Sequence, residues 1–493
     1  MTEQDVIIAG GGPTGLMLAG ELALGGVAAI VVERRPDRNL VGHRAGGLHA
    51  RTIEILDQRG IAGPFLAEGK RAQSIGFAGV MLDLGAFPTR YPFTLGIWQK
   101  QIEGHLAVWV ENLGVQVHRG TEVTGVTQDE TGVTATLSDG RTLRGRYLVG
   151  CDGGRSIVRK LAGIAFPGTE PTTSNIIGEA DFAEQPPFGV HRDRHGLHSF
   201  GTSDYEIVDG KIVYKTGGPI GVMITEAEAG ATTEPTLDDL RAGLIAARGT
   251  DFGLNNLYWI SRFTDSARQA ASYRKGRVLV AGDAAHIHPP DGGQGLQTGV
   301  QDAVNLGWKL AQVVKGTSLA HLLDTYHAER HPIGARVLQH TLASVALRRD
   351  DERARALRDI FAGFLAMEEP RQAMAGKLSG LDIHYDLGEG HPLLGRRVPD
   401  LNLETTSGRT RLYALMHGAR PILLDLGTPN RPTVPPGIEV FSATVQGRWE
   451  LPVVGPVEPP KAVLIRPDGY VAWVGSGNWD GLDEVAARWF GPA

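Results

Sequence analysis

The sequence predicts an α/β fold: a parallel sheet, an inserted antiparallel sheet and a separate C-terminal domain. A glycine-rich turn joins an apolar strand to a helix at the start of the chain. Strand-rich sequence interrupts the strand-helix alternation from about 171 to 262, and a Gly/Pro-rich stretch at 388–400 precedes a last strand-rich region. At 493 residues, the chain is long enough for two or three domains.

The first element is a strand, a glycine turn and a helix. The apolar run 6–9 leads into Gly-Gly-Gly-Pro-Thr-Gly at 10–15, and helix-forming sequence follows. In this context the first, third and last glycines allow a tight turn, a close approach to a pyrophosphate and helix packing on the strand. Glu33 ends the next strand about 20 residues on, where an acid hydrogen-bonds an adenosine ribose. Taken alone, a glycine turn also fits a purely structural role.

A second glycine-rich element lies far downstream. The strand 277–281 stops at Gly282, and Asp283 follows, where its carboxylate accepts hydrogen bonds from a ribityl chain. A helix starting near Gly295 directs its amides at the same loop. Together with the first motif this pattern predicts bound FAD, whereas alone it also fits an ordinary acidic loop at a strand end.

A third motif, Cys-Asp-Gly-Gly-Arg-Ser at 151–156, follows the strand 147–150. The three motifs in this order resemble the single-component, class A FAD-dependent aromatic hydroxylases of the para-hydroxybenzoate hydroxylase fold. The resemblance covers nearly the whole chain and is strongest to hydroxylases of aromatic polyketide biosynthesis in actinomycetes. One departure is Gln297, which stands where the family usually has Asn beside the flavin ring.

The resemblance also implies site residues. It implies catalytic contributions from Arg44, Pro290 and Gly293. It implies cofactor contacts from Gly10, Gly12, Pro13, Thr14, Gly15, Glu33, Arg34, Arg44, Gln99, Val123, Asp152, Asp283, Pro290, Gly293, Gly295, Leu296 and Gln297.

The implied reaction uses FAD, dioxygen and NAD(P)H. Reduced flavin forms a hydroperoxide that hydroxylates a polycyclic aromatic polyketide of the anthracycline, angucycline or tetracycline type. No second GxGxxG is present, so NAD(P)H is expected to bind transiently as a co-substrate. Three alternatives stay open: inactivation of a rifamycin-type antibiotic, a Baeyer-Villiger oxygenation, and a flavin-binding protein that is not an oxygenase. The choice between NADPH and NADH and the carbon oxidised also stay open.

We expect residues 1–170 and 263–390 to form the FAD-binding domain with a helical extension, and 171–262 to form a substrate-binding β-sheet domain. The resemblance implies a thioredoxin-like domain at 398–493. This segment has no cysteine, which excludes thiol-disulfide exchange and favours a structural or dimerisation role. A homodimer is therefore one expectation, and dispensability of 398–493 for the chemical step is another.

Composition excludes several other functions. The net charge is −6 without a long basic block, which disfavours nucleic acid and anionic membranes as partners. The single cysteine, Cys151, excludes an internal disulfide, and the chain begins directly with a strand, so we expect a cytoplasmic protein without a signal peptide or membrane span.

The histidines do not predict a metal site. His191, His195 and His198 are interleaved with arginines, so we expect a solvated loop or a pocket rim, and no bound metal. His286 and His288 flank the second glycine-rich element, and the sequence shows no carboxylate partner for either, which favours a loop-fixing role.

Overall fold

The structure is a computed structural model that describes residues 2–42, 46–193, 196–202, 204–208, 211–215, 217–229, 233–349 and 351–491. The first elements, in order, are β1 (Thr2–Ala9), α1 (Pro13–Leu24), β2 (Ala29–Glu33), α2 (Ala50–Gln58), α3 (Ala62–Glu68), β3 (Lys70–Ala72), β4 (Ser74–Phe77), β5 (Val80–Asp83), β6 (Thr94–Gly96), α4 (Gln99–Asn112), β7 (Gln116–Arg119), β8 (Val123–Gln128), β9 (Val133–Leu137), β10 (Thr142–Gly150) and α5 (Ile157–Leu161).

The middle of the chain is strand-rich. Its elements are β11 (Ser174–Phe182), β12 (Gly189–Asp193), β13 (Gly196–Thr202), β14 (Tyr205–Val208), β15 (Lys211–Tyr214), β16 (Ile220–Thr225), α6 (Leu237–Arg248) and β17 (Leu254–Thr264).

The remaining elements are β18 (Arg268–Gln269), β19 (Arg274–Lys275), β20 (Val278–Val280), β21 (His286–Ile287), α7 (Gln294–Lys315), α8 (Asp324–Leu347), α9 (Glu352–Ala366), α10 (Glu368–Ser379), β22 (Asn402–Thr405), β23 (Gly408–Arg411), α11 (Leu412–Leu415), β24 (Ile422–Asp425), β25 (Glu439–Gln446), β26 (Glu450–Leu451), β27 (Gly455–Pro456), β28 (Ala462–Ile465), β29 (Val471–Gly475) and α12 (Leu482–Phe490).

The main sheet has eight strands in the order β19-β20-β10-β1-β2-β7, with β9 paired to β10 and β8 to β9. β1 lies at the centre and runs parallel to both neighbours, with Ile7 opposite Ile30 and Leu148. Val6, Ile7 and Ile8 are fully buried in the apolar core, as a continuous apolar run predicts for a parallel strand covered on both faces. The carboxyl ends of β1, β10 and β20 therefore meet at one edge of the sheet.

The strand-rich insertion is an antiparallel sheet in the order β12-β13-β16-β11-β17. Helix α6 covers one face and packs Leu240 and Leu244 against Ile176 and Val222. Strands β14 and β15 form an antiparallel pair, and Asp209 and Gly210 between them lie outside the described residues.

The loop predicted for the three histidines is wrong. His191 on β12 and buried His198 on β13 are paired across adjacent strands, because the alternation of this segment suits a sheet. His195 lies outside the described residues. No group of three or more metal-ligating side chains occurs in the part of the chain that the structure describes.

The C-terminal sheet has six strands in the order β23-β22-β25-β24-β28-β29. It shares one apolar core with the main sheet, because Leu464 and Ala472 belong to the same buried cluster as Ile7 and Leu306. The indole of Trp489 on α12 lies 6.1 Å from that of Trp308 on α7, measured between ring centroids. Among the described helices, none combines the length and apolarity needed to cross a bilayer.

A buried ion cluster joins the β28–β29 hairpin to α7 and α8. Arg466 contacts Glu329 on α8 at 2.6 and 2.8 Å, and Lys309 on α7 contacts the same carboxylate at 2.9 Å. Arg466 also pairs with Asp468 in its own hairpin. Burial alone would raise the pKa of Glu329, but the charges of Arg466 and Lys309 lower it to about 2. Arg466 and Asp468 of the hairpin therefore form one buried network with Lys309 of α7 and Glu329 of α8.

This cluster makes residues 398–493 part of what stabilises the fold, while their dispensability for the chemical step stays a prediction. The same hairpin gives the carbonyl of Pro467 to Arg59 at 2.8 Å and that of Asp468 to Arg51 at 2.9 Å. Removing the segment would take Arg466 from Glu329 and a buried carbonyl acceptor from each of these arginines, which is costly. The Gly/Pro-rich linker therefore connects two parts that fold onto each other.

We expect Arg466→Ala to lower the free energy of unfolding by about 3 to 5 kcal/mol, because it removes the buried guanidinium that pairs with the carboxylates of Glu329 and Asp468. Urea unfolding followed by circular dichroism measures the change. Arg409→Ala is the matched control: Arg409 pairs with Glu404 in the same sheet but its side chain is 82% exposed, so we expect a change below about 1 kcal/mol. Equal effects of the two variants would contradict the role of the cluster.

Candidate active site

The first and third sequence motifs touch through backbone atoms at the end of β1. A Cβ on Gly10 would lie 2.3 Å from the carbonyl oxygen of Cys151, and the φ of Gly10 is +106°. A Cβ on Gly15 would lie 2.0 Å from the carbonyl oxygen of Gly10. Glycine is required at both positions because any side chain would separate the strand, its helix and the 151–156 loop.

The second glycine-rich element reaches the first motif at Thr14. A Cβ on Gly282 would lie 2.6 Å from the Thr14 hydroxyl oxygen, and one on Gly299 in α7 would lie 2.3 Å from it. Arg159 then joins the second and third motifs, since its guanidinium donates to the carbonyls of Ala284 at 2.9 Å and Gly154 at 3.0 Å. The fold thus brings together three segments that lie more than 100 residues apart.

Gly12 differs from the other glycines of its turn. A Cβ there would meet no atom within 4 Å, and the backbone is extended, so no protein contact requires glycine. Next to it, α1 begins at Pro13 without a side-chain cap, which leaves its first amides available to an anion. This open approach to an uncapped helix N-terminus fits the pyrophosphate of FAD.

Glu33 lies buried beside the same turn. Its carboxylate accepts hydrogen bonds from the Gly11 amide at 2.6 Å and from Arg35 at 2.9 Å. Burial alone would raise the pKa of Glu33, but the hydrogen bonds from Arg35 and Gly11 lower it, so the group is an anionic acceptor. Arg35 also pairs with Glu103 at 2.8 Å, and Glu103 accepts from Gln99 at 2.7 Å.

The neighbouring predicted positions differ in environment. Arg34 is exposed, whereas Val123 is buried at the start of β8. The sequence singled out Arg34 but not Arg35, whose guanidinium orients Glu33; nothing in a run of two arginines distinguishes them.

The carboxylate of Asp152 accepts hydrogen bonds from residues just after it in the chain. Its carboxylate accepts from the amides of Ile157 and Val158 at 2.8 and 3.1 Å and from the Ser156 hydroxyl at 2.5 Å. These contacts cap the N-terminus of α5 and hold the 151–156 loop against Gly10. The structure therefore gives Asp152 a loop-fixing role beside the predicted cofactor.

Asp283 projects from the loop after β20. Its side chain is exposed to solvent. Desolvation by the surrounding protein raises the pKa of Asp283, and the charge of Asp302 acts in the same direction. An exposed carboxylate on this loop fits the acceptor that a ribityl chain requires.

The loop that carries Asp283 depends on a carboxylate that the sequence did not reveal. Asp302 on α7 accepts from the Gly282 amide at 3.1 Å, from His286 Nε2 at 2.7 Å and from Arg330 at 2.8 Å. The expectation that His286 has no carboxylate partner is wrong, because Asp302 lies sixteen residues further along the chain on a different element. The loop-fixing role predicted for His286 agrees with this contact.

Residues 289–293 form the segment that we call the flavin loop. Gly292 and Gly293 both have left-handed φ values, +67° and +63°, which glycine adopts without strain. Asp291 pairs with Arg348 at the end of α8, and Pro290 is exposed. The loop runs directly into α7, whose N-terminus has no side-chain cap.

Gln297 links the flavin loop to the segment before α2. Its Nε2 donates to the carbonyls of Gly47 at 2.9 Å and Gly293 at 3.3 Å, and its Oε1 accepts from the amide of His49 at 3.1 Å. An Asn side chain is one methylene shorter and could not span these contacts. Gly295 and Leu296 are half-buried beside it, whereas Arg44 lies outside the described residues.

The chain is similar to known proteins over its whole length. A model of the FAD binding domain matches residues 3–341, and one of the aromatic-ring hydroxylase C-terminal region matches 391–493. The chain belongs to the FAD-dependent aromatic-ring hydroxylases. Among relatives, a rifampicin monooxygenase of Streptomyces venezuelae is 42% identical and a dialkyldecalin synthase of Streptomyces rugosporus 38% identical, each over 99% of both chains.

A solved structure supports the same family assignment. The anhydrotetracycline hydroxylase OxyS from Streptomyces rimosus superposes with a TM-score of 0.91 at 40% identity over 100% of both chains. The hydroxylase described here has the same α/β fold and is an FAD-dependent monooxygenase, with the NAD(P)H dependence that is general in its family.

We expect Gly12→Asp to abolish FAD binding by the hydroxylase, because it places a side chain and a negative charge where the pyrophosphate fits. Bound flavin per protein is measured from the absorbance of the purified enzyme. Gly63→Asp in α3 is the matched control: a Cβ there also meets no atom within 4 Å, but α3 carries none of the three motifs. Wild-type flavin content in Gly12→Asp would show that the pyrophosphate lies elsewhere.

Proposed function

We propose that this monooxygenase hydroxylates a polycyclic aromatic polyketide of the tetracycline, angucycline or anthracycline type. The observation that carries the proposal is an antiparallel sheet with one face packed on α6 and the other directed at the FAD-binding part of the chain. Relatives named for tetracycline and rifampicin substrates support a large aromatic ligand.

The face of the sheet opposite α6 suits an apolar ring system. Ile177 on β11 is paired with Met223 on β16 and Ser261 on β17, and all three are half-buried. Phe263 lies on the same face, two residues further along β17. Side chains of mixed size and little charge present a broad surface that aromatic rings can pack against.

A tryptophan on this face of the sheet contacts the cofactor-binding part of the chain. The indole of Trp259 on β17 lies so close to Gly42 that a Cβ there would be 2.2 Å from the ring. Gly42 directly precedes the segment that carries Arg44, for which we propose a contact to substrate or cofactor. The geometry supports a substrate cavity between the sheet and the flavin loop.

We propose that the residues predicted from the sequence hold FAD in this site. Gly10, Gly15 and Thr14 fix the loops, Gly12 leaves room for the pyrophosphate, and Asp283 accepts from the ribityl chain. When bound, FAD takes up hydride from NAD(P)H and activates dioxygen. The amides at the N-terminus of α7 supply positive potential beside the flavin loop, and the sheet above it excludes water.

Inactivation of a rifamycin-type antibiotic is the second candidate, because a rifampicin monooxygenase is as similar as the hydroxylases. Both functions use the same site and differ in the ligand.

We also propose a division into three units: 1–170 with 263–390, 171–262, and a thioredoxin-like unit at 398–493. The C-terminal sheet supports the last assignment, since β24 runs parallel to β25 and antiparallel to β28 in one mixed sheet.

A reaction that consumes NAD(P)H depends on the intracellular pool of that reductant, which supports a cytoplasmic location.

A homodimer is part of the proposal. Leu357, Ile360 and Phe364 recur every three or four residues along α9, Met367 follows directly after the helix, and each is more than 50% exposed. An apolar stripe of this kind on a globular protein marks an interaction surface.

We expect oxidation of NAD(P)H to be slow alone and faster with a polycyclic phenolic ligand, with one oxygen atom of dioxygen in the product. Mass spectrometry of products formed under labelled dioxygen from tetracyclic, angucycline and ansamycin compounds measures this. Stimulation by ansamycins alone would favour antibiotic inactivation. Oxygen derived from water, or an isomerised product without new oxygen, would contradict the monooxygenase assignment for these substrates.

We expect Ile360→Ser with Phe364→Ser to convert a dimer into a monomer, because it removes apolar area from the centre of the stripe. Light scattering coupled to size exclusion measures the mass. Leu319→Ser is the control, since Leu319 is 72% exposed away from α9 and should leave the dimer intact. A wild-type protein that is already monomeric contradicts the proposal.

A further inference from the structure

Tyr385 lies just before the Gly/Pro-rich linker, and its side chain contacts α8 in the FAD-binding part of the chain. It is buried, and its hydroxyl accepts a hydrogen bond from Arg330 Nη1 at 3.2 Å. Arg330 is fully buried and also donates to Asp302 at 2.8 Å and to the carbonyl of Thr298 at 3.3 Å. The tyrosine hydroxyl is therefore one of three acceptors that fix this guanidinium.

Asp302 connects Arg330 to the loop that carries Asp283. One of its carboxylate oxygens accepts from Arg330, and the other accepts from the Gly282 amide at 3.1 Å and from His286 at 2.7 Å. These last two donors stand on either side of Asp283 in the chain. The orientation of the guanidinium therefore sets the position of the acceptor that holds both ends of this loop.

Backbone hydrogen bonds tie Tyr385 to the C-terminal sheet. Its amide donates to the carbonyl of Gly395 at 2.8 Å, and the Gly395 amide donates to the carbonyl of Val471 on β29 at 2.9 Å. A Cβ on Gly395 would lie 1.9 Å from the Tyr385 carbonyl oxygen, so only glycine lets the two segments approach this closely. The ring of Tyr385 also packs on that of Tyr470, with the centroids 4.3 Å apart. An unbroken series of contacts thus leads from β29 to the loop that carries Asp283.

We propose that Tyr385 is a positioning residue for this cofactor loop, through which docking of the C-terminal sheet sets the affinity for FAD. The hydroxyl holds Arg330 and thereby Asp302, whose carboxylate fixes the loop that presents Asp283. The inference rests on the proposed FAD site, because it concerns the loop expected to hold the ribityl chain. It assigns Tyr385 no direct contact with substrate or cofactor.

Tyr385→Phe removes only the hydroxyl, so it tests the contact with Arg330 and leaves the ring in place. We expect the FAD dissociation constant to rise about 3- to 10-fold, the range that the loss of one hydrogen bond gives. Tyr413→Phe is the matched control, since Tyr413 is also buried and its hydroxyl contacts the buried Arg397 at 3.5 Å and donates to the Val398 carbonyl at 2.9 Å. We expect this variant to stay within about twofold of the wild-type constant, because residues without shared partners act independently.

Flavin fluorescence titration of the apoprotein measures the dissociation constant, and thermal unfolding of the apoprotein gives its midpoint. A merely structural Tyr385 would lower the midpoint, as in Tyr413→Phe, and leave the dissociation constant at the wild-type value. That outcome, or an equal rise of the constant in both variants, overturns the inference. Gly12→Asp separates the two claims: retained flavin shows that the site itself is wrong, whereas loss of flavin together with an unchanged constant in Tyr385→Phe refutes only the role of Tyr385.

A double-mutant cycle tests the connection to the C-terminal sheet. Gly395→Ala pushes the linker away from Tyr385, so we expect it also to raise the FAD dissociation constant. Because this effect passes through the hydroxyl, it should be largely lost in the Tyr385→Phe background and persist in the Tyr413→Phe background. No rise, or the same fold-change in all three backgrounds, contradicts the proposal. Tyr470→Leu, which removes the ring packed on Tyr385, takes the place of Gly395→Ala if that variant does not fold.

Discussion

Backbone contact between loops at the end of β1 is the constraint on which the site depends. Gly10 packs against the carbonyl of Cys151, and Gly15 packs against Gly10, so the strand, its helix and a loop from β10 meet without side chains between them. Thr14 brings in the loop after β20 in the same way, through Gly282. Any side chain at these glycines would separate the strand ends and move the groups proposed to bind FAD.

Buried ion pairs also hold the loops of the site and the C-terminal hairpin in place. Asp302 holds both ends of the loop around Asp283. Burial alone would raise the pKa of Asp302, but the charges of Arg330 and His286 lower it. Further from the cofactor, Arg466 and Glu329 bind the C-terminal hairpin to α8. Breaking either cluster leaves an uncompensated charge in the interior, so the site and the C-terminal sheet depend on each other for stability.

Local sequence patterns were sufficient for the parts of the fold that local rules govern. The strand-turn-helix at residues 2–24 and the long helix after Gly293 lie where the sequence predicts them, because turn chemistry and periodicity decide them. The strand-rich insertion was also predicted. Its histidines were misassigned to a loop, since alternation in the short segment 189–202 was hidden by charged residues and glycine.

The sequence alone determined the family, the cofactor and the order of the elements, because each rests on residues close together along the chain. Only the tertiary structure decided which distant groups meet. The pairings of Asp302 with His286, of Arg466 with Glu329 and of His49 with the Leu378 carbonyl all join different elements. Nothing in local spacing identifies such partners, since packing of helices and loops around the shared core sets their distance.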